Sequence, residues 1–157
     1  MQVIVRALGP RDTCAVIGFE SLVTTPLART WMDSSGCDSA LAALSALRPG
    51  GGTALWDGLL AGLQEVEGSP VAGPEAAQPK VSSTRRLPVV LLLTDGQPSP
   101  SPPAGEAEEL RRYIAARSAR LGTTHTATSC KLVTLGFGYD VNSKLLQVSR
   151  FRCSQSF

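Results

Sequence analysis

Pro88-Val-Val-Leu-Leu-Leu-Thr-Asp-Gly-Gln-Pro-Ser99 is the stretch in which a wholly apolar run stops abruptly at a carboxylate. Val89 to Leu93 are five consecutive branched apolar residues. The run is too uniform for a half-exposed strand and too short for a helix, so it predicts a strand buried on both faces. Such a strand belongs to a parallel sheet covered by helices. Asp95 then stands at its carboxyl end, followed by Gly96 and a loop rich in proline and serine. In open α/β sheets that end is where ligands bind.

The neighbouring segments supply the rest of such a fold. Thr13 to Phe19 and Lys131 to Gly138 read as further strands, and Leu27 to Met32 as a short edge strand in which Arg29 and Thr30 are tolerable. Glu20 to Pro26 reads as a polar connection. Apolar residues at helical spacing predict helices from about Asp38 to Leu47, from Leu55 to Val66, and from Glu106 to Leu121, where acidic residues lead and basic ones follow. Residues 1 to 8 read as the last turns of a helix ended by Gly9-Pro10, and Asp140 to Val148 as a short helix. Residues 68 to 86, rich in Pro, Gly, Ser and Ala with no apolar period, predict a mobile insertion. The alternation gives an α/β, Rossmann-like, three-layer open sheet, mostly parallel, with helices on both faces. No internal repeat is present.

With 157 residues the chain is one domain, residues 1–157. A net charge of +2 with scattered basic residues argues for neither nucleic acid nor membrane as partner. Cys14, Cys37, Cys130 and Cys153 lie far apart without a C-x-x-C pair. They read as buried reduced thiols, which fits an intracellular, cytoplasmic protein. No signal peptide and no run long enough for a membrane span is visible.

Chemistry-bearing residues are few. The region of Ser21, Thr53 after its glycine run, and Asp95 all fall at strand or loop ends that this pattern brings to one rim. A carboxylate plus hydroxyls on rigid loops suits a hard divalent cation, which takes oxygen ligands and keeps several waters. Arg48 to Thr53 lacks the G-K-[ST] ending of a P-loop, and Gly136-Phe-Gly138 is not G-x-G-x-x-G. His125 lies in a polar loop without a catalytic companion, and Trp31 and Trp56 read as packing residues.

Leu8-Gly-Pro-Arg-Asp12 before TCAVIGF, Leu47-Arg-Pro-Gly-Gly-Gly-Thr53 with Leu55-Trp-Asp-Gly-Leu59, Leu91-Leu-Leu-Thr-Asp-Gly96, and Leu135-Gly-Phe-Gly-Tyr-Asp140 resemble successive blocks of a von Willebrand factor type A (vWA) domain. The resemblance runs from about residue 4 to residue 150 and is greatest to intracellular members, including those beside ubiquitin-ligase modules. It implies a protein–protein interaction module, not an enzyme, with a metal-ion-dependent adhesion site (MIDAS). By resemblance Thr53 and Asp95 are its second-loop and third-loop ligands for Mg2+ or Mn2+. Ser21, Gly52, Gly96 and Gln97 then face the partner protein, whose acidic side chain completes the coordination.

The family's first strand and its D-x-S-x-S loop would precede Met1, and its last strand and helix would follow Phe151. The resemblance therefore implies an incomplete domain, poorly soluble alone, whose partial site binds metal weakly or not at all. Asp33-Ser-Ser-Gly-Cys37 imitates D-x-S-x-S in letters but stands where a helix cap or turn is expected. The alternative is a Rossmann-like enzyme acting on a phosphorylated substrate, with Asp95 as general base or Mg2+ ligand.

Overall fold

The computed structural model describes residues 1–48, 50–68, 87–94, 98–121 and 130–136. They form a mixed α/β unit of four helices and two small sheets in the order α1 (Gln2–Ala7), β1 (Thr13–Phe19), β2 (Val23–Trp31), α2 (Ser34–Ala46), α3 (Leu55–Glu67), β3 (Val89–Thr94), α4 (Glu106–Leu121) and β4 (Lys131–Gly136).

β1 and β2 form an antiparallel hairpin, with Thr13 opposite Trp31 and Phe19 opposite Val23. The connection predicted over Glu20 to Pro26 shrinks to residues 20–22, because Val23-Thr24-Thr25 are β-formers and Pro26 is acceptable in an edge strand. α2 begins before the predicted Asp38. Asp33 is its N-cap, the Gly36 amide donating to Asp33 Oδ1 at 2.8 Å. Asp33-Ser-Ser-Gly-Cys37 is thus a capping segment leading into the helix. Gly36 is required there, since a methyl group on it would overlap the Trp31 carbonyl.

β3 and β4 pair in parallel, from Val89 opposite Lys131 to Thr94 opposite Gly136. Among the described residues no ladder joins this pair to the hairpin, so two two-stranded sheets stand where the sequence predicts one open sheet. The expectation that β3 is buried on both faces is also corrected. Only Leu92 is fully buried, and Val89 at the strand start is 49 % exposed. Uniformly apolar composition records the demand for cover, while burial requires neighbours on both sides; β4 is the one strand paired with β3 among the described residues.

α3 connects the two halves. Its leucines Leu55, Leu59 and Leu63 recur at helical spacing and are buried with Leu92 of β3, Leu110 of α4, Cys130 and Leu132 of β4. Each such leucine contributes about 1.5–3 kcal/mol through burial. Phe19 of β1 packs on the same core. A second, smaller core joins Val5 of α1, Met32 and Ala40 of α2, with Leu27 and Leu44 against it. α4 is drawn to the end of α3 by Glu67, which accepts a 2.8 Å hydrogen bond from the Tyr113 hydroxyl and pairs with Arg117 at 2.9 Å. Of the predicted apolar positions of α4, Leu110 is buried and Ile114 packs on the core; the Leu121 side chain, the 69–86 part of the predicted insertion, and the 140–148 helix lie outside the described residues.

Two glycines set the closeness of α3 to both sheets. A Cβ on Gly58 would lie 2.6–2.7 Å from Phe19 Cγ, Cβ and Cδ1, whereas one on Gly62 would lie 3.3 Å from Val90 Cγ1. Gly→Ala inside a helix ordinarily stabilises by about 1 kcal/mol. Gly58→Ala is predicted instead to destabilise by about 1–3 kcal/mol, because the Phe19 Cβ cannot swing aside, while Gly62→Ala stays near neutral. Denaturant midpoints of the two variants check this, and equal midpoints would refute it. By the same measurement Asp33→Ala should cost about 1 kcal/mol through loss of the cap, and Asp38→Ala, exposed in the same helix, should cost little.

Candidate functional site

Sequence places Ser21, Gly52 and Thr53 on two different connections, and the backbone brings them together. The loop ahead of α3 is fastened to the β1–β2 turn by the Ala54 amide, which donates to the Glu20 carbonyl at 2.7 Å. Gly52 lies directly on Ser21: a Cβ at position 52 would stand 2.8 Å from Ser21 Oγ and 3.2 Å from its Cα. A methyl group on Gly50 would overlap the Glu20 carboxylate. Gly52 therefore serves close approach of one backbone to another, the use for which a residue without Cβ is suited.

Thr53 is held on its other side by the segment after β3. Its amide donates to the Ser99 carbonyl at 3.3 Å, and the Ser99 amide returns a 3.0 Å bond to the Thr53 carbonyl. Both backbone polar groups of Thr53 are thus satisfied by another chain segment, which fixes its position ahead of α3. The second segment is the one that carries Asp95 in sequence, four residues before Ser99. Asp95, Gly96 and Gln97 themselves lie outside the described residues.

Two participants were not singled out by sequence reasoning: Glu20, whose carbonyl anchors the loop and whose carboxylate faces Gly50, and Ser99, which pairs with Thr53. The signal for Glu20 was available, since it is the first polar residue after TCAVIGF. Ser99 acts only through its backbone, which residue type does not reveal.

The described donors match the hard-oxygen chemistry of a magnesium site in kind but not in number. Hydroxyls of Ser21 and Thr53 can fill coordination positions, yet charge neutralisation needs a carboxylate. Glu20 is exposed, and among the described residues no three His, Cys, Asp or Glu side chains converge on one point. These residues alone do not make a metal centre, and a cation here depends on Asp95 joining Thr53. Of the other residues weighed from sequence, Trp56 packs on the large core and Cys130 is buried in it. His125 and Cys153 lie outside the described residues. No helix among the described residues is long and apolar enough to cross a membrane.

No protein-family model matches the chain, and no curated protein matches it.

If Gly52 is present for its contact with Ser21, Gly52→Ala should lower stability by about 1–2 kcal/mol, the range of modest overpacking. Part of that loss should return in a Ser21→Gly background, where Oγ and Cβ are gone. Equal costs of Gly52→Ala in both backgrounds, measured by a double-mutant cycle on denaturation, would separate the two residues.

Proposed function

We propose that the chain is a protein-interaction module of vWA type, with its rim at the 20–22 and 50–54 connections and the segment from Asp95 to Ser99. The observation that supports it most is the double fastening of Thr53. The four-motif order seen in sequence puts Thr53 and Asp95 on neighbouring loops, and the Thr53–Ser99 pairing ties those two segments together. In this reading the two small sheets are parts of one three-layer, Rossmann-like sheet, and the 68–86 segment is an insertion at its periphery. The protein performs no reaction.

Thr53 and Asp95 then hold Mg2+ or Mn2+ weakly, with water in most positions, and a carboxylate of the partner protein occupies one of them. Ser21, Gly52, Gly96 and Gln97 flank that contact. The resemblance extends to modules in ubiquitin-ligase assemblies, so an intracellular protein partner of that kind is the proposal, with neither nucleic acid nor membrane involved. An enzyme would need an acid, base or nucleophile aimed at the rim. The described rim contributes hydroxyls and the exposed Glu20 carboxylate, which favours the interaction reading over phosphate-ester chemistry based on Asp95.

Calorimetric titration of the chain with MgCl2 and with MnCl2 should give weak binding, on the order of 10⁻⁴–10⁻³ M, the range of loosely built oxygen sites. Asp95→Ala should abolish the heat and Thr53→Val should reduce it. A peptide with one central glutamate should then bind more tightly with Mg2+ than with a chelator present, and its glutamine counterpart should show no such difference. Absence of heat in the wild-type chain would remove the metal, and a glutamate peptide indifferent to both cation and Asp95 would remove the adhesion mode.

A further inference from the structure

Cys14 and Cys37 are far apart in sequence but belong to one corner of the fold. Cys14 stands opposite Thr30 in the β1–β2 ladder, and directly opposed residues share a face of the sheet. Met32 is two residues beyond Thr30 and so lies on that face as well; its amide continues the ladder by donating to the Asp12 carbonyl at 2.9 Å. The first turn of α2 is pressed onto this corner, where only a glycine fits at position 36. Cys37 follows it, with Sγ 3.6 Å from the Met32 carbonyl oxygen. Both cysteines pack on the small core of Val5, Met32 and Ala40. Both are free and half-buried, so a small reagent can reach them.

We infer that Cys14 and Cys37 are a redox-responsive pair that closes to an intramolecular disulfide, β1 to α2, when a low-molecular-weight disulfide is the oxidant. Both side chains pack on the same small core, and the bond closes when the first turn of α2 brings the two Cα atoms within the ~4.4–6.8 Å that a disulfide spans. Burial, and then the charge of the neighbouring Cys37, raise the Cys14 thiol above its ordinary pKa. Cys37 therefore reacts first. Its thiolate attacks the oxidant, forming a mixed disulfide and releasing one small thiolate. Cys14 then loses its proton and attacks Cys37 Sγ, expelling the second small thiolate. One S–S bond forms in the protein, one breaks in the oxidant, and two electrons and two protons leave as two small thiols.

The closed pair would fasten the hairpin to the helix that covers it. The test uses the full chain in glutathione buffers of increasing oxidised fraction, followed by alkylation, proteolysis and mass mapping. The expected product is a cross-linked species of the Cys14 and Cys37 peptides lighter by two hydrogens than their sum, reversed by excess thiol. Oxidation should raise Tm by about 10 °C, as constraint of a loop of this size implies, and Cys14→Ser or Cys37→Ser should cancel the rise. Separate glutathione adducts on the two residues, or both thiols still alkylated under oxidising buffer, would overturn the pair. Mapping on the wild-type chain decides the matter even if either variant folds poorly.

Discussion

One helix has to satisfy two sheets. A two-stranded sheet is marginal in water, since it offers one narrow apolar face and too few cross-strand contacts to offset the entropy of ordering it. This chain has two such sheets among its described residues. α3 lies against both: Leu55, Leu59 and Leu63 bury the inner side of β3 and β4, while Gly58 admits Phe19 of β1 and Gly62 admits Val90 of β3. The leucines and the glycines do opposite jobs on one helix. Leucines supply apolar area, and glycines remove the Cβ atoms that would hold the sheets away. Gly at two interior positions costs helix propensity of about 2 kcal/mol, which close packing of Phe19 and Val90 has to offset.

The candidate rim inherits its geometry from that helix. The residues ahead of α3 are fixed by three backbone hydrogen bonds, Ala54 to Glu20 and the reciprocal pair between Thr53 and Ser99. Each bond contributes about 1 kcal/mol net, and together they hold the loop from two separate segments, Glu20 on one side and Ser99 on the other. The β1–β2 turn, the start of α3 and the segment after β3 therefore meet at one place. Side chains at that place are presented by a frame in which side-chain identity plays little part, apart from the glycines that allow the approach.

Much of the frame was legible in the sequence because it rests on local apolar patterning. TCAVIGF and Val89 to Thr94 are apolar runs of strand length, Glu106 to Leu121 carries a helical period, and the elements appear where those patterns place them. The Asp33 cap was legible for a different reason, since a carboxylate three residues ahead of a free amide is a local arrangement. The extent of β2 was not legible: Glu20 to Pro26 looks polar because one face of an edge strand is solvated, and the pairing that makes it a strand comes from β1. Nor was the exposure of β3, because composition reports what a strand would bury and not which neighbours it has. In the site, Thr53 could be placed ahead of α3, behind its glycine run. Ser99 could not be found, since its contribution is an amide and a carbonyl that every residue has.

These differences bear on how far function follows from the frame. If the rim were held by side-chain interactions, its functional residues would also be its structural ones, and changing Thr53 or Ser21 would loosen the loops. Here the anchoring groups of Thr53 are its own amide and carbonyl, which leaves its hydroxyl free of any structural requirement in that pairing. A hydroxyl without a structural demand is available for a ligand, whether a cation or a polar group of a partner. The same reasoning separates Gly52, whose lack of a side chain is demanded by Ser21, from Thr53, whose backbone would be equally well held with another β-branched residue in its place. The constraint imposed by α3 thus divides the rim into positions that must be small to let the segments meet and positions whose chemistry the fold leaves open.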